Sequence, residues 1–149
     1  MRVFSFLNTV VYVNGVEISG WAEGDDVISI KRRNPSATDK IGAGGEMVVS
    51  ISADRSGEFT FKLQGTSQSN KYLQSLQSLQ QAGSSTFVPV SVLFQDTYRN
   101  DIATGTVGYI TKPADVSRGA NMSDSEWVIV VESLDSLIGE AADVLAGIV

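Results

Sequence analysis

Of the side chains that commonly do chemistry, this 149-residue chain keeps carboxylates, amines and hydroxyls but has neither histidine nor cysteine. Without histidine it lacks the commonest general base and the commonest metal ligand. Without cysteine it has no disulfide framework and no thiolate metal site. The densest carboxylates, Glu23, Asp25 and Asp26 in "EGDD", lack the alternating ligand spacing of a calcium loop and read as a solvated turn. "GAGGE", ending at Glu46, has the glycines of a phosphate-cradling loop. It lacks the Lys-Ser/Thr pair, and no helix follows to present its N-terminus, so it reads as a contact-making loop. Asn121-Met122-Ser123 fits a glycosylation sequon, which only a secreted eukaryotic protein would use. Lys31, Arg32 and Arg33 form a short basic run, either a solvated strand end or a docking patch for an acidic neighbour. No catalytic, cofactor or metal site is expected. A carboxylate-only hydrolase is the residual enzymatic reading.

The elements that carry these residues are mostly strands. A first strand is expected over residues 3–13, turned by Asn14-Gly15 into "VEISGW", since Asn-Gly between β-formers is a strong hairpin signal. "VISIKRR" alternates as a strand and is broken by Asn34-Pro35. Residues 34–45, "NPSATDKIGAGG", are polar and glycine-rich and read as a long functional loop without internal structure. "EMVVSIS" resumes a strand, and after the turn "ADRSG" comes "EFTFKLQ". There Phe59, Phe61 and Leu63 alternate with Glu58, Thr60, Lys62 and Gln64, the pattern of a half-buried strand. The period then changes. Tyr72, Leu73, Leu76 and Leu79 form a helical stripe over about residues 69–82, with Ser67 or Ser69 as cap and Gly83 as a left-handed stop. "FVPVSVLFQD" predicts a strand covered on both faces, "IATGTVGYIT" a glycine-softened one, and "SEWVIVVESL" a strong final one. A second polar loop spans residues 112–123. Beyond it, Leu134, Leu137, Ile138, Ala141 and Leu145 fall at helical spacing.

These readings add up to a mainly β fold: an antiparallel β-sandwich or partly open barrel with one flanking α-helix. The length suits one domain, able to bury about 68–70% of its unfolded surface, here placed at residues 1–135 with an apolar extension over 136–149. Hydrophobic content of 42% and charged content of 19% argue against disorder. The net charge of −6 argues against electrostatic nucleic-acid binding. The apolar start is explained by strand alternation rather than a signal peptide, and no stretch nears the roughly 18 apolar residues of a membrane helix, so no membrane anchoring is expected. Val48, Val128 and Val130 put apolar side chains on faces the core does not need, and the outer strands look poor in charge and proline. Edges of that kind are completed when copies pair, and a repeated heterologous contact closes into rings.

The order of the pieces resembles a known family. "NGVEISG", "EGDDVISIKR", "ATDKIGAGGE" and "DRSGEFTFKLQGTSQSN", then the helix, "YITKPADVSRG" and "SEWVIVVESLD", are similar to the tail tube proteins of contractile-tailed bacteriophages, among the small virion proteins of Pseudomonas and related phages. The likeness covers about residues 10–135. It implies a virion tail protein, made in the host cytoplasm, that assembles as hexameric rings stacked into a tube inside a sheath. Its partners would be other copies, the tail sheath, baseplate and tail terminator proteins, and DNA passing without specific binding. It further implies that the loop of residues 34–45, with Asn34, Ser36, Asp39, Lys40, Ile41, Gly42, Gly44 and Gly45, reaches the adjacent ring. Glu58, Thr60, Lys62 and Gln64 are assigned to lining the channel or meeting a neighbour. Lys31, Arg32, Arg33, Leu137, Ile138 and Leu145 are assigned to docking. Two other readings compete: the tube of a secretion or pyocin-like contractile machine, and a monomeric ligand-binding β-sandwich. The last wants clustered exposed aromatics, whereas Trp21 and Trp127 are expected to be buried.

Overall fold

A computed structural model describes residues 5–97, 100–121 and 123–138. A single 3-10 turn, Phe6–Asn8, leads into β1 (Thr9–Val13) and β2 (Val16–Glu17). Then follow β3 (Ile28–Arg32), β4 (Ala37–Ile41), β5 (Met47–Ile51), β6 (Gly57–Gln64), α1 (Ser69–Ala82), β7 (Val90–Asp96), β8 (Asp101–Ile110) and β9 (Asp124–Leu137). Seven strands form one antiparallel sheet in the order β2-β1-β7-β8-β9-β6-β3, open at both ends. The remaining two, β4 and β5, pair only with each other.

Alternation decides which face of the sheet is buried. In β6, Gly57, Phe59, Phe61 and Leu63 are buried while Glu58, Thr60 and Lys62 are half-buried and Gln64 is exposed. The register sets Phe59 opposite Ile129 on β9 and Ile30 on β3, and Phe61 opposite Trp127 and Ile28. Val11, Val13, Val90, Val92 and Val131 join the same core, on which Trp21 and Ile30 pack from the side. Trp21 meets Phe61 edge-on with ring centroids 5.6 Å apart and is itself half-buried rather than buried as expected. Its outer edge contacts Phe6, which leaves part of the ring at the surface.

The helix lies over the core through Leu73 and Leu76, both buried, with the Tyr72 hydroxyl donating to the Val13 carbonyl at 3.0 Å. Leu79, read as part of the stripe, is exposed. At that end of α1 a polar contact replaces packing. The Gln80 side chain donates to the Ile110 carbonyl at 3.1 Å and accepts from the Ile110 amide at 3.0 Å, occupying the place of a strand partner. The start of α1 is also tied by side chains. Ser67 Oγ accepts from Ser69 N, Ser69 Oγ accepts from Ser19 N, and the Trp127 indole donates to Asn70 Oδ1 at 2.9 Å. Gly83 ends the helix at φ 145°, ψ 171°, an extended positive-φ state open to glycine rather than the left-handed turn expected.

Four other expectations are corrected. Residues 34–45 are not a structureless loop: they contain β4, half of a hairpin. The helical spacing from Leu134 does not hold where it can be checked, because Leu134 and Leu137 lie on β9, whose cross-strand bonds to β8 run out to Leu137. Ala141 and Leu145 fall outside the described residues. β7 begins at Val90, later than expected, and is covered on one face only, with Ser91 exposed and Leu93 half-buried. The terminal strand β3 is not poor in charge, since it carries Lys31 and Arg32.

Candidate assembly surfaces

β3 and β6 are antiparallel neighbours with Arg32 opposite Gly57, so everything between them is the loop of one hairpin. That loop has grown into an arm. Ser36 accepts from Ser52 N at 2.9 Å across its stem, and five cross-strand pairs run from Ala37↔Ile51 to Ile41↔Met47. Gly42 and Glu46 close the tip, where Gly45 at φ 87° takes a conformation that a residue with a Cβ resists. The polar, glycine-rich composition of "ATDKIGAGGE" hides a strand because nothing covers the arm. A strand with no buried face shows no burial alternation.

Every residue of β4 and β5 is exposed. The pairing puts Ala37, Asp39, Ile41, Met47, Val49 and Ile51 on one face of the arm and Thr38, Lys40, Val48 and Ser50 on the other. Ile51 is 85% exposed and Val48 62%. Single exposed apolar residues are ordinary, whereas a row of them on one uncovered element is not. Of the residues assigned to the loop, Asp39, Lys40 and Ile41 stand on β4, Gly42, Gly44 and Gly45 form the tip, and Asn34 and Ser36 belong to the stem.

The stem is clasped by polar groups. Asp54 accepts from Asn34 Nδ2 at 2.6 Å and from Ser56 N at 2.9 Å. Hydrogen bonding from the Ser56 side chain first, then from its amide and from Asn34, holds the exposed Asp54 carboxyl down at about 2. Arg55 forms an ion pair with Asp135, and its carbonyl accepts from Leu134 N at 2.8 Å, which fixes the stem to β9. The basic run stands at the end of β3 and runs into the stem. Lys31 pairs with Glu58 at 3.7 Å, Arg32 Nη2 donates to the Leu134 carbonyl at 2.9 Å, and Arg33 begins the stem. Lys31 and Arg32 have different partners, yet both line one cleft beside Ile30.

The outer face of the sheet has two characters. Along β6 and the start of β9, Glu58, Thr60, Lys62 and Gln64 run beside Glu126 and Asp124. Towards β8 the face turns apolar at Tyr109, Val128 and Val130, the last buried between Glu58 and Tyr109 in the register yet apart from the core cluster. Leu137 and Ile138 line a small cleft of about 200 Å³ with Ile30, Lys31 and Arg32. Beside it a larger cleft of about 730 Å³ opens where the sheet fails to close, lined by Phe6, Trp21, Ile28, Ile30 and Phe94 with Asp25 at its rim. Glu23, Asp25 and Asp26 sit in an exposed turn, and among the described residues no group of carboxylates is arranged to hold a metal ion.

The family model for the Bacteriophage PhiTE tail tube protein matches residues 1–139. This chain belongs to that tail tube family. No curated protein matches its sequence. Among solved structures the fold is similar to the anti-feeding prophage cap (AFP tube terminating cap), with a TM-score of 0.60 at 6% identity over 93% of each chain. It is also similar to a chain of the PVC sheath/tube terminator of an extracellular contractile injection system in the extended state. There the TM-score is 0.59 at 9% identity, over 92% of this chain and 98% of that one. A chain of the PVC sheath-tube complex in the extended state gives 0.55 at 9% identity, over 91% and 92%. At such identities the likeness is one of fold. The open antiparallel sheet with one helix is thus shared with these chains.

Proposed function

We propose that this chain polymerises as rings, six subunits each, stacked into the inner tube of a contractile phage tail, and that the tube is the conduit for DNA ejection. Family membership over residues 1–139 carries the reading. The uncovered arm supports it, because a projecting element whose every residue is exposed needs an occupant outside the chain. In this reading the arm reaches the adjacent ring, with Asn34 and Ser36 in its stem and Asp39, Lys40 and Ile41 on its first strand. The polar row Glu58, Thr60, Lys62 and Gln64 lines the channel or meets a neighbouring subunit. Leu137, Ile138 and the rest of the 136–149 extension dock on an adjacent subunit or on the sheath. Baseplate and tail terminator proteins cap the two ends, and no reaction is catalysed.

The charge suits a conduit. A net charge of −6 per subunit repels phosphates, so DNA passes without being held. Negative-stain microscopy and sedimentation of the purified protein test the reading. Rings or tubes that grow with concentration are expected, and a sharp monomer at every concentration refutes it. The assembled material is further expected not to shift DNA in a gel at low salt.

A further inference from the structure

Positive backbone angles in this chain fall almost wholly on residues that tolerate them. Among the described residues they occur at Gly15, Gly20, Gly24, Gly45 and Gly83, at Asn14 and Asn100, and at Val107, with φ 54°. Valine is the outlier. A β-branched side chain at left-handed φ crowds the backbone and costs about 1–3 kcal/mol. The strain sits inside a bulge. Val90 pairs with Gly108 and Val92 with Gly105, so Thr106 and Val107 together oppose Ser91 alone. In a bulge that uses a left-handed residue that position normally belongs to glycine.

Packing within the chain does not offset the strain. Val107 is 57% exposed, and its bulge partner Thr106 is exposed too. Gly105 and Gly108 face inward against Val131, so the bulge serves to turn two successive side chains, Thr106 and Val107, outward. On the same face stand Tyr109, 43% exposed, and beside it Val130 and Val128. A strained apolar side chain aimed at solvent in the middle of a sheet has its use outside the subunit. The chain also offers a second, separate uncovered apolar surface on the arm, at Ile41, Met47, Val49 and Ile51. Two different apolar surfaces on one molecule are what a head-to-tail contact between identical copies requires.

We propose that Val107 is an anchor residue for a second copy of this chain, held in a strained backbone state so that its side chain, with Tyr109 beside it, is buried on assembly. This rests on the tube reading above and names a surface that reading leaves open. The test compares wild type with Val107→Gly and Val107→Asn, both of which relieve left-handed strain and remove the apolar side chain. Below the concentration at which wild type assembles, both variants are expected to melt about 2–4 °C higher, the shift of about 1 kcal/mol in a domain of this size. Their concentration for ring or tube formation, read by sedimentation, is expected to rise at least about tenfold, which is about 1.4 kcal/mol. Variants that melt higher yet assemble like wild type overturn the anchor role. Variants that melt no higher overturn the strain. If wild type itself stays monomeric, the tube reading fails and this one with it. If wild type assembles and the variants match it, only this inference fails.

Discussion

Replacing the arm is the most informative perturbation of the tube reading. Residues 37–51 are exchanged for Asn-Gly, leaving Ser36 and Ser52, already bridged by a 2.9 Å hydrogen bond, to carry a two-residue hairpin turn. The magnitude follows from burial. All ten residues of β4 and β5 are exposed, so no core contact is removed and no cavity is left. Shortening the connection from about fifteen residues to two is about three halvings of loop length, worth about 2 kcal/mol in favour of the folded subunit. The unassembled variant is therefore expected to melt at or a few degrees above wild type, by about 2–4 °C per kcal/mol. In sedimentation and negative stain it is expected to form no tubes. Loss of the cooperative melt would show that the arm belongs to the fold. Tubes indistinguishable from wild type would show that the arm plays no part in stacking. Either result refutes the reasoning.

Three further outcomes follow from the fold. Gly108→Ala places a Cβ 2.7 Å from the Val130 carbonyl oxygen and 3.0 Å from that of Val90, backbone atoms on both flanking strands. Overpacking of this kind costs about 1–3 kcal/mol, whereas Gly119→Ala meets nothing within 4 Å and is expected to leave the melting temperature unchanged. Asn70→Ala strands the indole N–H of the buried Trp127 and removes one of two hydrogen bonds to the Gln64 carbonyl, which keeps that from Ser67 N. It is expected to cost about 1–3 kcal/mol, read by thermal melt together with a shift in tryptophan fluorescence. The Asp54 carboxyl, held at about 2 against an ordinary 3.8, makes a contribution present above pH 3.8 and lost as pH falls towards about 2. Carboxyl NMR is expected to find its midpoint near 2, and Asn34→Ala is expected to move it up. A midpoint of 3.8 in the wild type would show that the stem clasp does not form in solution.

The parts of the fold legible in the chain are those with a buried face. "EFTFKLQ" alternates because Phe59, Phe61 and Leu63 enter the core, and the α1 stripe is visible because Leu73 and Leu76 do the same. Asn14-Gly15 is readable as a turn because both residues take positive φ, at 50° and 81°. Of the arm, β5 was legible in "EMVVSIS", while β4 escaped because it buries nothing and its polar, glycine-rich composition reads as loop. The end of β9 escaped for the opposite reason. Leu134 and Leu137 are three apart in a strand where only Leu134 is buried, and that spacing imitates a helix. The surfaces proposed here for assembly were half visible: Val48, Val128 and Val130 stood out as apolar residues without an evident place in the core. The bulge at Val107 was not, since no pattern of residue types announces a valine in a glycine's conformation.

The position of β9 bears on when this subunit can come into being. Among the described residues it is the last strand made, and it lies between β8 and β6. Without it the sheet falls into two groups, β2-β1-β7-β8 and β6-β3. In a chain still emerging from the ribosome the two groups are held together only by the segment after β2, which bonds to β6, and by α1. The joining pairings span long stretches of sequence, the kind that form slowly. The complete sheet thus forms only once synthesis has passed β9, and in the tube reading proposed above polymerisation waits on that strand.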